Sequence, residues 1–152
     1  MVELEREVIL EAILPELRDG VLEVPSDVPE AATGRAAVVA QAPGILAGLP
    51  VAREIYGRMG VRLRMLKGEG AVVERGERVA EVGGAIRAIR MGAGLALTFL
   101  SRLSSVASGR VEPDGSPLER YAADVGSAAR SSTVGENRLG EAVAFALQEE
   151  DG

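Results

Sequence analysis

Between Gly34 and Gly84 a glycine or proline interrupts the chain every few residues, and then, from Met91 to Ser108, the pattern turns helical. That change limits the fold more than any other feature. Short punctuated stretches build strands and turns, whereas Leu95, Phe99 and Leu103, with Ala96, Leu100 and Ala107 beside them, draw one apolar line along a helix. Strands followed by helices, without regular alternation, make an α+β domain. Aromatic residues are only 3% of the 152-residue chain, so Ala, Val, Leu and Ile must build the core. A chain of this length is most simply one domain.

Read locally, residues 3–17 form an amphipathic helix that Pro15 ends early, and Asp19 to Ala32 is irregular. Gly34–Gln41 reads as a strand, Pro43–Gly44 as a turn, and Ile45 to Gly48 as a short second strand. Pro50 sits well as the first residue of a helix over Val51–Met59. From Val61 to Leu66 apolar residues alternate with Arg62 and Arg64, which puts both guanidinium groups on one face of a half-buried strand. Ala71–Val73 lies between turn glycines. Arg78–Val82 is a further strand, Gly83–Gly84 a break, and Ala85–Ile89 another strand. After a loop over Arg110–Pro117, two helices are predicted, Leu118–Ala129 and Glu136–Glu150, ahead of an acidic tail.

Several chemistries are excluded by what is missing. The chain has no histidine and no cysteine, so imidazole catalysis, thiolate nucleophiles and disulfides are ruled out. A net charge of −6 argues against a nucleic-acid surface. No apolar run approaches the roughly 20 residues that cross a bilayer, and the acidic N-terminus is unlike a secretory leader. The expected residence is the cytoplasm. No metal, no cofactor and no catalytic residue is assigned, and no carboxylate pair is placed by spacing as a catalytic dyad.

Three blocks carry a resemblance. "APGILAGLPVAREIY" (Ala42–Tyr56), "GEGAVVERGERVAEVGGAIRAI" (Gly68–Ile89) and "LALTFLSRLSSVAS" (Leu95–Ser108) are similar, in order and near spacing, to the N-terminal domain of the quinolinate phosphoribosyltransferase family. The resemblance implies a small, mostly antiparallel sheet with barrel-sandwich-like, glycine-bounded strands backed by helices. It assigns residues 1–108 to that domain and leaves 109–152 as an unmatched helical extension. It also implies that chemistry sits in an α/β barrel, usually a neighbouring subunit's, which binds phosphoribosyl pyrophosphate, magnesium and most of the pyridine dicarboxylate. A barrel needs about 200 residues or more, so residues 109–152 are not expected to supply one.

At three places the chain departs from the family's pattern. The Glu-Arg pair that precedes the long helix, whose arginine reaches a substrate carboxylate across the subunit interface, falls on Ala93–Gly94. Neither residue can replace a bidentate guanidinium. Asp19-Gly20-Val21-Leu22 stands where a Gly-Asp-hydrophobic-Thr motif is expected, and Thr98 replaces the long helix's asparagine. Arg102 and Ser104 match.

The resemblance makes Arg102 the first candidate for an inherited anion contact, with Ser104 beside it; an intramolecular salt bridge is the competing reading of Arg102. Arg62 and Arg64, together with Arg87 and Arg90, form either an anion site or a solvated sheet face. Gly92-Ala93-Gly94 lacks the third glycine of a dinucleotide fingerprint and reads as close helix packing. Lys67, the chain's only lysine, is a turn residue rather than a carrier lysine. Two functions stay open. One is an accessory domain without its own chemistry, assembling with itself or with a separate barrel-bearing subunit in pyridine-nucleotide-type metabolism. The other is a stand-alone binding module with no phosphoribosyl-transfer role. An autonomous phosphoribosyltransferase is a weaker third.

Overall fold

A computed structural model describes residues 4–19, 28–132 and 142–150. The first helix, α1 (Arg6–Asp19), leads to β1 (Thr33–Ala40), β2 (Gly44–Ile45) and α2 (Leu49–Gly57). Then come β3 (Arg62–Met65), β4 (Val72–Val73), β5 (Arg78–Ala85), α3 (Ile86–Ala107), α4 (Pro117–Ser132) and β6 (Phe145–Glu150). Four strands form one antiparallel sheet in the order β3-β5-β1-β6, and β2 pairs separately with β4. The fold is α+β, as expected, and no helix among the described residues is long and apolar enough to cross a membrane.

The core is aliphatic, as the scarcity of aromatics demands. Val38, Ala40, Val79 and Ala80 of the sheet, with Leu46 and Leu49, pack against Leu100 of α3. Ile13, Val51, Ile55, Ile89, Leu103, Val106 and Tyr121 join the four helices, and Tyr56 is fully buried among them with its hydroxyl donating to the Ile89 carbonyl at 3.1 Å. Each fully buried side chain of this kind contributes roughly 1.5–3 kcal/mol. Small residues let the layers close: a Cβ on Gly126 of α4 would lie 2.0 Å from the Ala107 carbonyl oxygen.

Four local expectations are corrected. The predicted helix over Glu136–Glu150 is not helical where it is described: residues 142–144 are irregular and β6 runs antiparallel to β1, from Arg35 opposite Glu150 to Ala40 opposite Phe145. Residues 136–141 of that expectation lie outside the described residues. Phe145 and Leu147 alternate with polar or small neighbours, and the otherwise bare edge of β1 selects their two-residue period over the helical one. Secondly, Gly83–Gly84 does not break the chain. β5 continues through both glycines, and α3 starts at Ile86 instead of a further strand over Ala85–Ile89. Gly84 takes φ 151° with the Gly60 carbonyl and Val61 packed against it, a backbone that favours glycine. Thirdly, α1 runs past Pro15 to Asp19; that proline is exposed, so its missing N–H and its ring fall on the solvent side. Finally, the short second strand is only Gly44–Ile45.

Candidate functional site

Helix α3 carries most of the residues singled out by sequence, and they separate towards its two ends. Its last turns are a seam. Ser104 Oγ accepts the Ala47 N–H and donates to the Ala47 carbonyl, both at 3.0 Å. Ser108 Oγ accepts the Ile45 N–H at 2.8 Å, and Ser105 Oγ accepts the Val143 N–H at 3.0 Å. These serines satisfy the backbone of two irregular segments, the one entering α2 and the one entering β6, which have few ladder partners. Ser104 is fully buried and its hydroxyl is engaged as both donor and acceptor.

Arg102 projects from the same half of α3. It grips Glu119 of α4 through Nε at 2.7 Å and Nη2 at 2.9 Å, and Nη2 also donates to the Glu112 carbonyl at 3.2 Å. The hydrogen bond to Glu119 pushes the guanidinium pKa above its ordinary value, with a smaller opposing contribution from burial. Glu119 is itself buried and also accepts the Asp114 N–H at 2.8 Å. A cleft of about 370 Å³ opens here, lined by Glu11 and Glu16 of α1, Phe99, Arg102, Asp114 and Leu118.

At the other end of α3, Arg87 donates to the Val28 carbonyl at 2.7 Å, and Arg90 holds Glu149 of β6 at 2.6 and 2.9 Å. Arg90 lowers the Glu149 carboxyl below its ordinary range, mainly through that hydrogen bond. Fifteen residues separate Arg87 from Arg102, about 22 Å at roughly 1.5 Å per helical residue, so the four candidates do not form one cluster. Between the two ends lie Ala93, half-buried, and Gly94, exposed, where an added Cβ would meet nothing within 4 Å. Thr98 Oγ1 donates back to the Gly94 carbonyl at 2.6 Å. This stretch of α3 presents no ionisable side chain.

Two groups of residues escaped the sequence reading. Glu69 caps α2 from a distance: its carboxylate accepts the Gly48 N–H at 2.9 Å and the Leu49 N–H at 3.1 Å, and the Tyr121 hydroxyl donates to it. Gly48 offers no side chain to cap the helix, and none fits there, since φ is 107° and a Cβ would sit 2.9 Å from Leu103 Cδ1. Burial, reinforced by the Glu69 carboxylate, raises the Tyr121 pKa. The only hint in sequence was a carboxylate between turn glycines. The second group is arginine. Arg62 and Arg64 meet Arg35 and Arg53 around one groove rather than joining Arg87 and Arg90. Lys67 pairs with Glu77 at 2.9 Å. No group of histidine, cysteine, aspartate and glutamate is arranged to hold a metal among the described residues.

Comparison with known proteins follows this geometry closely. Residues 16–104 match the family described as quinolinate phosphoribosyl transferase, N-terminal domain. The nicotinate-nucleotide pyrophosphorylase of Francisella tularensis superposes with a TM-score of 0.72 at 17% identity, over 82% of this chain and 53% of its own. NadC of Streptococcus pyogenes gives 0.72 at 22% identity, over 83% and 54%. The enzyme of Ehrlichia chaffeensis gives 0.64 at 15% identity, over 83% and 54%. The chain spans about half the length of these solved relatives. The share of this chain that superposes is more than residues 1–104 could supply, so the shared fold reaches beyond the stretch recognisable by sequence. No curated protein sequence matches the chain.

Proposed function

The chain belongs to the family of quinolinate phosphoribosyltransferase N-terminal domains, and from that premise we propose that it is an accessory domain whose reacting centre is supplied elsewhere. It assembles with a barrel-bearing subunit, or with itself, in cytoplasmic pyridine-nucleotide-type metabolism. One observation carries this reading. Where the resemblance places the Glu-Arg pair that reaches the substrate, α3 has Ala93 and Gly94, with open space at Gly94 and no neighbouring ionisable group on the same stretch. A carboxylate-binding fork cannot be improvised from a methyl group and a backbone.

The remaining candidates support the same reading. Arg102, Ser104, Arg87 and Arg90 each make a hydrogen bond within this chain: to Glu119, Ala47, Val28 and Glu149. In this role they brace the scaffold and do not read a ligand. Purification from the native host, followed by phosphoribosyl-transfer assays with and without the chain, tests the proposal. A copurifying barrel-bearing protein whose activity rises with the chain is the expected result. Absence of such a partner, with activity indifferent to the chain, overturns it.

A second reading, a stand-alone interaction module, draws on β6. That strand covers the edge of β1 from within the chain, and α4 packs on α3, so the sheet and the long helix find partners without a second polypeptide. A stable monomer by light scattering, at concentrations where the barrel partner is absent, favours this reading over the first.

A further inference from the structure

On the sheet face that carries Arg35 and Arg62, basic and acidic groups do not balance. Arg35 lies opposite Gly83 on β5, and Gly83 lies opposite Arg62 on β3, so the two arginines stand in one row with a glycine between them. One row further on, Arg64 lies opposite Glu81 and pairs with it. Arg53 reaches the same groove from α2, with Nη1 against Met65 Sδ at 3.7 Å. The groove holds about 720 Å³ and is bordered as well by Gly57, Val61 and Gly83.

The neighbouring carboxylates are already engaged. Glu81 serves Arg64 and, at 3.7 Å, Arg78. Glu150, which faces Arg35 across the β1–β6 ladder, is held by Arg78 at 2.9 Å. Among the described residues, therefore, Arg35 and Arg62 stand in one row without a carboxylate of their own, and Arg53, on the Met65 side of β3, also lacks one. By contrast, Arg6, Arg58, Arg90 and Arg102 all reach one. In a chain of net charge −6, where carboxylates outnumber bases 23 to 17, this local excess of positive charge is not a reflection of composition. Uncompensated like charges repel, and a bound anion relieves that repulsion. Guanidinium groups match the two oxygens of a carboxylate or phosphoryl group, and a groove of several hundred Å³ has room for a small organic molecule. Gly83 adds no side chain of its own between them, and the Arg35 side chain passes over it, with Cγ 3.6 Å from where a Cβ would stand.

We propose that the sheet face along the Arg35–Gly83–Arg62 row binds a small organic polyanion, with Arg35 and Arg62 clamping one oxyanion group and Arg64, one row on, meeting a second beside its contact with Glu81. None of these residues belongs to the stretch of α3 that the family resemblance ties to substrate, and the proposal stands whether or not the chain assembles with a barrel. The shared chemistry is two or more oxyanion groups on one small body, either carboxylate or phosphoryl.

Calorimetric titration of the full chain with citrate and, separately, with inorganic pyrophosphate tests it, with acetate as the single-charge control. At least one of the two polyanions binds, acetate does not, and the preference between them identifies the oxyanion. The double variant Arg35→Gln/Arg62→Gln, both positions exposed, retains its circular dichroism and melting temperature while affinity falls at least tenfold. A second variant, Arg120→Gln on α4, removes the same kind of charge away from the groove and leaves affinity unchanged. Failure of both polyanions to bind at millimolar concentration overturns the proposal. So does equal affinity in the double variant, or equal loss in Arg120→Gln.

Discussion

The two halves of α3 face different tasks, although one continuous helix carries both. Its C-terminal half is closed: Leu100, Leu103, Val106 and Ala107 are buried, three serines hold neighbouring backbone, and Gly126 of α4 lies against Ala107. The middle of its N-terminal half is open, with Ala93 and Gly94 presenting little more than backbone. The difference teaches that one half of a helix can carry the packing while the other stays open. The serines that hold the seam lie in or just past the C-terminal half, and Ala93 and Gly94 take no part in it.

Substitutions at the two halves should therefore differ in sign as well as size. Gly126→Ala forces a Cβ into the Ala107 backbone and is expected to cost about 3 kcal/mol or more, as in severe overpacking. A fall in melting temperature of roughly 10 °C would register it in a chain of this length. An unchanged melting temperature would show that α3 and α4 are not in such close contact. Next in size, Glu69→Ala strips α2 of its cap and leaves the Tyr121 hydroxyl without its acceptor. A loss of about 2 kcal/mol is expected, combining the usual cost of a lost cap with that of an unsatisfied buried hydroxyl, and denaturant midpoints measure it. Gly94→Ala has the opposite sign. With open space around it and a helical backbone, alanine should stabilise by about 0.5–1 kcal/mol, seen as a small rise in melting temperature.

Acidification separates the halves in another way. Arg90 holds the Glu149 carboxyl below the ordinary value of 4.5 in the folded chain. The stability this pair provides is present above that ordinary value and is lost as the pH falls through the lower folded one. Amide exchange at pH 4 and pH 7 should show β6 loosening beside Arg90 before the serine seam, which contains no ionisable group. Above pH 10 stability should fall again, because burial raises the Tyr56 and Tyr121 pKa values and the folded chain resists their ionisation. The smallest effect is expected between pH 6 and 8. With no histidine to titrate, melting temperatures should stay nearly flat there.

Much of this was legible before any coordinates. The alternation around Arg62 and Arg64, the apolar line from Leu95 to Leu103, and the aliphatic core all express local periodicity, which a sequence displays directly. What stayed hidden depended on distant partners. Phe145 to Glu150 became a strand because β1 had an open edge, and Gly83–Gly84 served a close strand crossing where a turn was expected. Glu69 caps a helix 20 residues upstream, and no local pattern announces that. The arginines illustrate both sides. Spacing placed Arg62 and Arg64 on one face, but only the strand order β3-β5-β1 brought Arg35 beside them. That the family's Glu-Arg pair falls on Ala93–Gly94 is what the resemblance implies, and that reading needs only an aligned motif.

Turnover by the purified chain bears most directly on whether this domain is a scaffold without its own chemistry. Supplied with pyridine dicarboxylate, phosphoribosyl pyrophosphate and magnesium, the 152-residue chain should release no mononucleotide above the enzyme-free blank. Sustained formation of the mononucleotide, lost on heat denaturation of the sample, would contradict the account.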